Sequence, residues 1–247
     1  MRLLFIFFSA LMWSNFAFGQ VNLESGRHTA GGKEGLHFDT SLSLGFQRGN
    51  VRVFQYQIGL RTDYIHKYHH IYLLGSTGYG EENAKAFQNQ KFGHLRWTWM
   101  FFEDVGVEVF SQTESDKFKL LRLRQLNGGG ARVVLVEDKG LLFAVGLGAM
   151  SDYERVATGS DLVARGTSYL SLSNVGARMK STLVGYFQPS FRSFDDYRVL
   201  LQGSLEFPII KKLSWVNLLS YAYDTEPPEG VVKEDMRLTV NLKYKWR

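Results

Sequence analysis

The fold is decided by the C-terminal stretch Met236-Arg237-Leu238-Thr239-Val240-Asn241-Leu242-Lys243-Tyr244-Lys245-Trp246. Apolar and polar side chains alternate strictly along it, and successive side chains of a strand point to opposite faces. In a strand every apolar side chain of this stretch therefore lies on one face, whereas a helix would mix the two types. The stretch is predicted to be a β-strand with one apolar and one polar side.

The same alternation recurs from residue 35 onward and predicts about twelve strands, with ten or fourteen also compatible. Most segments exceed the roughly five or six residues of strands in soluble proteins. They match the roughly 9–11 residues that a tilted strand needs to cross a bilayer. The predicted segments are 35–47, 51–64, 68–79, 90–101, 104–112, 118–136, 140–152, 165–176, 181–192, 198–209, 212–223 and 235–246.

The N-terminus has the pattern of a secretory signal. Arg2 precedes the apolar run Leu3–Trp13, and the small residues Ala17 and Gly19 stand at positions −3 and −1 of a cleavage site between Gly19 and Gln20. A buried strand or an N-terminal membrane anchor is the alternative interpretation. The predicted organisation is a signal peptide over 1–19, a flexible leader over 20–33 and a single barrel domain over 34–247.

The composition excludes several classes of protein. The absence of Cys excludes disulfide scaffolds, thiol nucleophiles and thiolate metal sites. The net charge of +5, from 29 Lys and Arg against 24 Asp and Glu, is too small and too scattered to indicate nucleic-acid binding. The 19 Phe, 12 Tyr and 5 Trp are many for a soluble core, so the aromatic residues require an explanation.

A membrane barrel supplies that explanation, because such barrels carry aromatic girdles at both lipid interfaces. Aromatic residues on the predicted apolar faces are Trp97, Trp99, Phe101, Tyr221, Tyr223, Tyr244 and Trp246. The links between strands also alternate between short and long, with long polar links predicted at Gly80–Asn89, Tyr153–Ala164 and Asp224–Glu234. We predict an all-β transmembrane antiparallel barrel in the bacterial outer membrane; a soluble β-sandwich is the alternative.

The C-terminal segment resembles a known family. Tyr223-Asp224-Thr225-Glu226-Pro227-Pro228-Glu229-Gly230, with the strand to Trp246, is similar to the C-terminal hairpin of the YdiY-like family, described as salt-induced outer-membrane proteins with a domain of unknown function. Glu234 between Lys233 and Asp235 departs from the family pattern. The resemblance, over residues 34–247, implies an outer-membrane barrel and no established activity.

The polar faces of the predicted strands carry many charges and are expected to line the lumen. Positive side chains predominate among them, so one interpretation is a narrow pore that favours anions. The other is a set of paired charges that fills and closes the interior. The predicted lumen-lining residues are Asp39, Arg61, Asp63, Arg96, Glu108, Arg122, Arg124, Arg132, Arg165, Arg192, Glu206, Arg237, Lys243 and Lys245.

No catalytic, cofactor-binding or metal-binding residue is predicted. A lipid hydrolase would need a Ser within reach of a His at the outer rim, and the best base, His94, has no such Ser in the sequence pattern. His66, His69 and His70 form a possible metal cluster, but Asp63 is expected to face away from it. Gly128-Gly129-Gly130 is expected to permit a bend, a bulge or the close approach of a neighbour.

The expected partners are membrane components. They are outer-membrane lipid, including lipopolysaccharide, and the barrel-assembly machinery, which would bind the strand 235–246. Carboxylates between Asp224 and Asp235 form either a divalent-ion site bridging lipopolysaccharide or a solvated acidic loop. Three functions remain open: a non-enzymatic, stress-related envelope protein with a narrow charged lumen, a small porin-like channel, and, least favoured, an outer-membrane lipid hydrolase.

Overall fold

The computed structural model describes residues 34–49 and 52–246. The predicted signal peptide and leader lie outside these residues. Each strand pairs antiparallel with its neighbours in the chain, and the first also pairs with the last, which closes the barrel. The prediction of a twelve-stranded antiparallel barrel is confirmed. The strands are β1 Gly35–Gln47, β2 Val53–His66, β3 His69–Glu82, β4 Lys85–Met100, β5 Val105–Asp116, β6 Leu121–Asp138, β7 Leu141–Val156, β8 Ser160–Val175, β9 Lys180–Pro189, β10 Tyr197–Ile210, β11 Leu213–Asp224 and β12 Glu234–Lys245.

The two ends of the barrel differ. We call the end at which β1 begins and β12 ends the terminal end; its connections are all short, as predicted: 67–68, 101–104, 139–140, 176–179 and 211–212. We call the opposite end the loop end, where the segment 225–233 is the longest connection. A 3-10 turn over Lys117–Lys119 lies at this end and is capped by the Asp116 carboxylate.

Two of the three long links predicted from sequence are wrong. β3 and β4 continue toward each other until only Asn83 and Ala84 remain between them, both with positive φ (48° and 67°), as tight hairpin turns require. β7 and β8 are likewise joined by 157–159 alone. Here both faces of the strands are polar, so the alternation fades while the backbone pairing continues.

The outward side chains are apolar and exposed around the barrel. Examples are Leu60 at 57% and Leu147 at 72% exposure. Aromatic clusters border this apolar belt on both sides, as in membrane-spanning barrels. The loop-end girdle contains Phe54, Tyr56, Tyr79, Phe187, Tyr197 and Tyr223, and the terminal-end girdle contains His69, Trp97, Trp99, Phe101, Tyr244 and Trp246.

The aromatic residues thus have their place on the lipid-facing side of a barrel. Tyr244 and Trp246, for example, are in edge contact with ring centroids 4.9 Å apart. Among the described residues, no helix is long and apolar enough to span a membrane.

The glycine run in β6 lets β6 and β7 pack closely. A Cβ on Gly130 would lie 2.3 Å from the Leu147 carbonyl oxygen, and one on Gly128 would lie 2.7 Å from the Phe110 ring. The run therefore permits a close approach of neighbours, one of the roles expected from the sequence.

Candidate functional site

The candidate site is the barrel interior, because inward side chains are polar and mostly buried. Alternation and burial together identify them. Acidic and basic side chains occur there in comparable number among the described strands. The basic ones are Arg61, Arg96, Arg124, Arg132, Arg165, Lys180, Arg198, Arg237, Lys243 and Lys245. The acidic ones are Asp39, Asp63, Glu108, Glu114, Asp116, Asp152, Glu154, Glu206, Asp224 and Asp235.

The predicted excess of positive charge in the lumen is therefore wrong. Most of the predicted lumen residues do face inward, but Arg122 is exposed at a bulge between Leu121 and Leu123. Arg192 lies in the connection 190–196 and pairs on the surface with Asp161 at 2.8 Å. The positive charges in the lumen are balanced by acidic residues that were not predicted from the sequence. Several of these lie at the loop ends of β5 and β7.

Three groups of charges follow one another along the barrel, beginning near the terminal end. The Arg61 guanidinium donates to Asp63 at 2.7 Å, and His70 Nε2 contacts the same carboxylate at 2.8 Å. Arg61 also lies over the Tyr72 ring, 4.4 Å from its centroid. Asp63 thus faces His70, contrary to the expectation from sequence, because the turn 67–68 brings the two strands into register.

Further around the terminal half, β12 supplies lysines to carboxylates of its neighbours. Lys243 Nζ lies 2.9 Å from Asp39 and 3.4 Å from Glu206. Lys245 Nζ lies 2.5 Å from the other oxygen of Glu206. These pairs tie β1, β10 and β12 together on the inner side of the wall.

The middle group is centred on Glu108. The Tyr169 hydroxyl donates to Glu108 at 2.8 Å and accepts from Arg132 at 2.8 Å. Arg96 and Thr98 donate to the same carboxylate at 3.3 and 3.0 Å. Four strands, β4, β5, β6 and β8, therefore meet at one buried carboxylate.

The group toward the loop end contains arginines that each hold several carboxylates. Arg165 donates to Asp152 at 3.0 Å and to Asp196 at 2.9 and 3.0 Å. Arg198 donates to Asp152 at 2.5 Å, to Asp224 at 2.7 Å and also to Glu154. The bonds from Arg198 in β10 to Asp152 and Glu154 in β7 join strands that are not neighbours, so they cross the interior, whereas Arg165–Asp152 and Arg198–Asp224 link adjacent strands.

The segment 225–233 covers this group. Pro227, Pro228 and Val231 line a cavity of about 70 Å³ together with Arg198 and Glu114. At the same end Lys119 pairs with Asp235 at 3.2 Å, which links the β5–β6 connection to β12. Asp224 and Asp235, two of the acidic residues considered for divalent ions, are thus engaged in ion pairs.

The histidines considered in the sequence analysis lie in different places in the described part of the barrel. His94 is buried inside the barrel, where Nδ1 contacts Gln112 at 3.1 Å and the ring stacks on Tyr72 and Phe110. His66 and His69 point outward, away from His70. Within the described part of the chain, no group of three His, Cys, Asp or Glu side chains could hold a metal ion.

The fold and the interior define a class of protein: a membrane-spanning β-barrel with the fold of outer-membrane porins and an ion-paired interior. The chain belongs to the family described as "Protein of unknown function, DUF481", which matches residues 40–246. This is the family of YdiY-like proteins, so the resemblance seen in the sequence is confirmed.

Solved structures show the same fold at low sequence identity. The chain is similar to a KdgM porin, with 9% identity, a TM-score of 0.50 and coverage of 86% of this chain and 99% of that one. It is also similar to a NanC porin, with 8% identity, a TM-score of 0.51 and coverage of 85% and 99%. No curated protein matches the chain significantly.

Proposed function

We propose that the protein is a non-enzymatic barrel of the bacterial outer membrane whose lumen is closed to free diffusion by ion pairs. The apolar belt and the two girdles are evidence for a location in a membrane. The porin-like fold is evidence that this membrane is the bacterial outer membrane. The terminal end, with its short turns, would face the periplasm, and the segment 225–233 would face outward.

The observation that carries the proposal is the set of ion pairs that cross the interior. Arg165 and Asp152 are 4% and 1% exposed, and Arg198 joins Asp152 to Asp224 across the loop-end group. The cavity beneath segment 225–233 measures about 70 Å³, and a second one, lined by Asp39, Glu206 and Lys243, measures about 120 Å³. Each has room for only a few water molecules, which is small for a hydrated solute.

Planar-bilayer recordings test this proposal. We expect purified wild-type protein to give no stepwise conductance in moderate salt, whereas Arg165→Gln/Arg198→Gln produces steps because the ion pairs of the loop-end group are lost, including those from Arg198 to β7 across the lumen. The matched control is Arg155→Gln/Arg192→Gln, which removes two arginines outside the lumen and should remain silent. Steady wild-type conductance would contradict the closed lumen.

A small porin-like channel is the second candidate, and the segment 225–233 is the observation in its favour. A loop that covers the loop-end cavity could move away and expose the lumen. Under this alternative, deleting 227–231 in the wild-type background is sufficient to produce conductance. If the deletion leaves the bilayer silent, the ion pairs close the lumen on their own.

We also propose that the protein acts in salt stress, because the YdiY-like family is described as salt-induced. Ionic strength weakens interactions between charges that water can reach. We expect a strain lacking the chain to grow more slowly than its parent at high salt. Equal growth, with wild-type and Arg165→Gln/Arg198→Gln complementation giving no difference, would remove this role.

The partners are also proposals. Lipopolysaccharide would surround the loop-end half of the belt, and the barrel-assembly machinery would bind the last strand, β12. Removing Trp246 and Arg247 should reduce the amount of folded barrel in the membrane, whereas removing Arg247 alone should not. The readout is the amount of heat-modifiable protein in outer-membrane fractions.

A further inference from the structure

The seam, by which we mean the border between β1 and β12, is paired over a short stretch only. The register runs from Asp39↔Lys245 to Leu42↔Leu242, and the Trp246 amide adds a bond to the Phe38 carbonyl at 3.0 Å. β1 pairs with β2, in contrast, from Gly35 to Gln47. Beyond Leu42, no described residue of β1 pairs with β12, so Ser43–Gln47 and Glu234–Asn241 lack strand pairing across the seam. We call this unpaired stretch the opening.

The opening lies within the loop-side half of the apolar belt. Leu44 pairs with Tyr56 and Met236 with Tyr221, both at the level of the loop-end girdle. Beside the opening, Leu44 is 68% and Met236 64% exposed, while Val240 at 38% is close to Leu42 in the paired stretch at 42%. Unpaired backbone facing hydrocarbon is costly, so an occupant that supplies polar atoms is favoured there.

A cavity lies on the inner side of the seam. It measures about 120 Å³ and is lined from both borders, by Ser41 and Gln57 on one side and by Asn241 and Leu218 on the other. Asn241 is the first β12 residue past the paired stretch, and Gln57 is the register partner of Ser43. The cavity therefore begins where the pairing of the seam ends.

The polarity changes from the outside of the opening to the inside. Leu44, Phe46 and Leu238 face the lipid, whereas the cavity presents hydroxyl and amide groups and the ion pairs of Asp39, Glu206 and Lys243. An occupant that matches both sides has an apolar tail and a polar head.

The cavity also limits the charge and the size of the polar head of that occupant. Its lining holds two acidic residues, Asp39 and Glu206, and two basic ones, Arg61 and Lys243, which matches a head that bears both signs of charge and no net charge. A cavity of about 150 Å³ holds a molecule of the size of benzene, so the head is small. The phosphorylated disaccharide of lipopolysaccharide is too large.

We propose that the seam is a lateral opening through which a zwitterionic phospholipid places its head in this cavity while its acyl chains stay in the bilayer. The inference goes beyond the proposed function, because the lumen is then closed along its axis and open to the side. Conductance recordings therefore test whether the lumen is closed along its axis, whereas the experiments below test whether the seam is open to the side.

Cross-linking tests the opening, and the absence of native Cys makes the experiment clean. If the register of the paired stretch continued, Gly45 would face Thr239. We expect the disulfide of Gly45→Cys/Thr239→Cys to form at least about tenfold more slowly than that of Gly45→Cys/Gln55→Cys, which joins residues already paired. Equal rates of cross-linking would show a closed seam and overturn the proposal.

Native mass spectrometry of the full chain in detergent tests the occupant. We expect lysophosphatidylethanolamine to bind at least about tenfold more tightly than lysophosphatidylglycerol or lipopolysaccharide, and to slow the 45–239 cross-link. Val216→Trp fills the cavity and should abolish binding, whereas Val240→Trp on the lipid-facing side should preserve it. Equal binding of the two lysolipids, or undiminished binding by a Val216→Trp variant with normal heat-modifiable mobility, would overturn the assignment.

Discussion

At the scale of single residues, Tyr169 links charged side chains from different strands in the middle of the lumen. Its hydroxyl lies between Arg132 and Glu108, and its ring covers Gly146 so closely that a Cβ there would lie 2.1 Å from the ring carbon Cε1. The tyrosine fits because β7 provides no side chain at this level. One aromatic residue thus determines both the packing and the hydrogen bonding of the layer.

Tyr169→Phe should reduce the free energy of unfolding by about 2 kcal/mol, because two hydrogen bonds to charged groups lose their hydroxyl partner. Urea unfolding in lipid vesicles, followed by tryptophan fluorescence, measures the change. Tyr153→Phe in β7, on the lipid-facing side, is the control and should change the free energy little. Equal effects of the two substitutions would contradict the role assigned to the Tyr169 hydroxyl.

Gly146→Ala should destabilise the barrel by about 1–3 kcal/mol, since the added methyl group displaces the Tyr169 ring. Gly185→Ala in β9 is the matched control, because its Cβ would lie 3.7 Å from the nearest atom, Leu201 Cδ1. The same unfolding measurement applies to both. A Gly146→Ala variant as stable as Gly185→Ala would show that Tyr169 moves aside without cost.

At the scale of elements, the segment 225–233 acts as a cover. Asp224 and Lys233 close its base by a backbone bond of 2.9 Å, and Thr225 exchanges bonds with the backbone of Tyr197. Its apolar residues then reach over the loop-end charges. The strands alone would leave this end of the lumen uncovered.

Thiol labelling measures how well the segment covers the lumen. Ala222→Cys places a thiol beneath 225–233, and a water-soluble methanethiosulfonate reagent should modify it at least about tenfold faster once 227–231 is deleted. Ala84→Cys, in the exposed β3–β4 turn, should react at one rate in both backgrounds. Rapid labelling of Ala222→Cys in the intact chain would mean that the segment does not cover the cavity.

At the scale of the whole molecule, the distribution of side chains is the reverse of that in a soluble protein: apolar residues are outside and charged residues are inside. Apolar side chains such as Leu147 and Leu170 are 72% and 58% exposed, while charged ones such as Asp63 and Arg96 are 1% and 3% exposed. The apolar exterior requires a lipid or detergent environment, and the interior requires that every charge be balanced.

Extraction tests this arrangement. The protein should remain in the membrane pellet after washes with high salt and with carbonate, and it should enter solution only with detergent. On gels without boiling it should migrate faster than the boiled chain, as closed barrels do. A chain that stays monomeric in solution without detergent would contradict the membrane barrel.

The strands were predictable because alternation reports directly which side faces lipid. The central parts of the strands agree with the predicted segments. The wrong assignments of inward residues lie outside the lipid-facing belt or where the strand is irregular, because there the alternation no longer depends on contact with lipid. β5 continues through Glu114 and Asp116 beyond the apolar belt, so two inward carboxylates were missed. At Arg122 a bulge shifts the alternation, and at Arg192 the strand has ended.

The pairing of charges could not be predicted, because register and lumen width decide it. Asp63 meets His70 through a turn whose length the sequence does not specify, and Arg198 reaches Asp152 only because strands separated by two others curve toward each other. Arg198 alternates in step with Gln202 and Glu206, so its inward direction was available from the pattern. Its three carboxylate partners were not.

The ion pairs that cross the lumen also bear on how the chain assembles. Arg198 and Lys243 belong to the late strands β10 and β12, whereas their partners Asp152, Glu154 and Asp39 belong to the earlier strands β7 and β1. Until β12 is in place, Asp39 and Glu206 lack Lys243 and Lys245, the lysines with which they pair in the barrel. The ion pairs of the interior are therefore complete only once the last strand has joined the barrel.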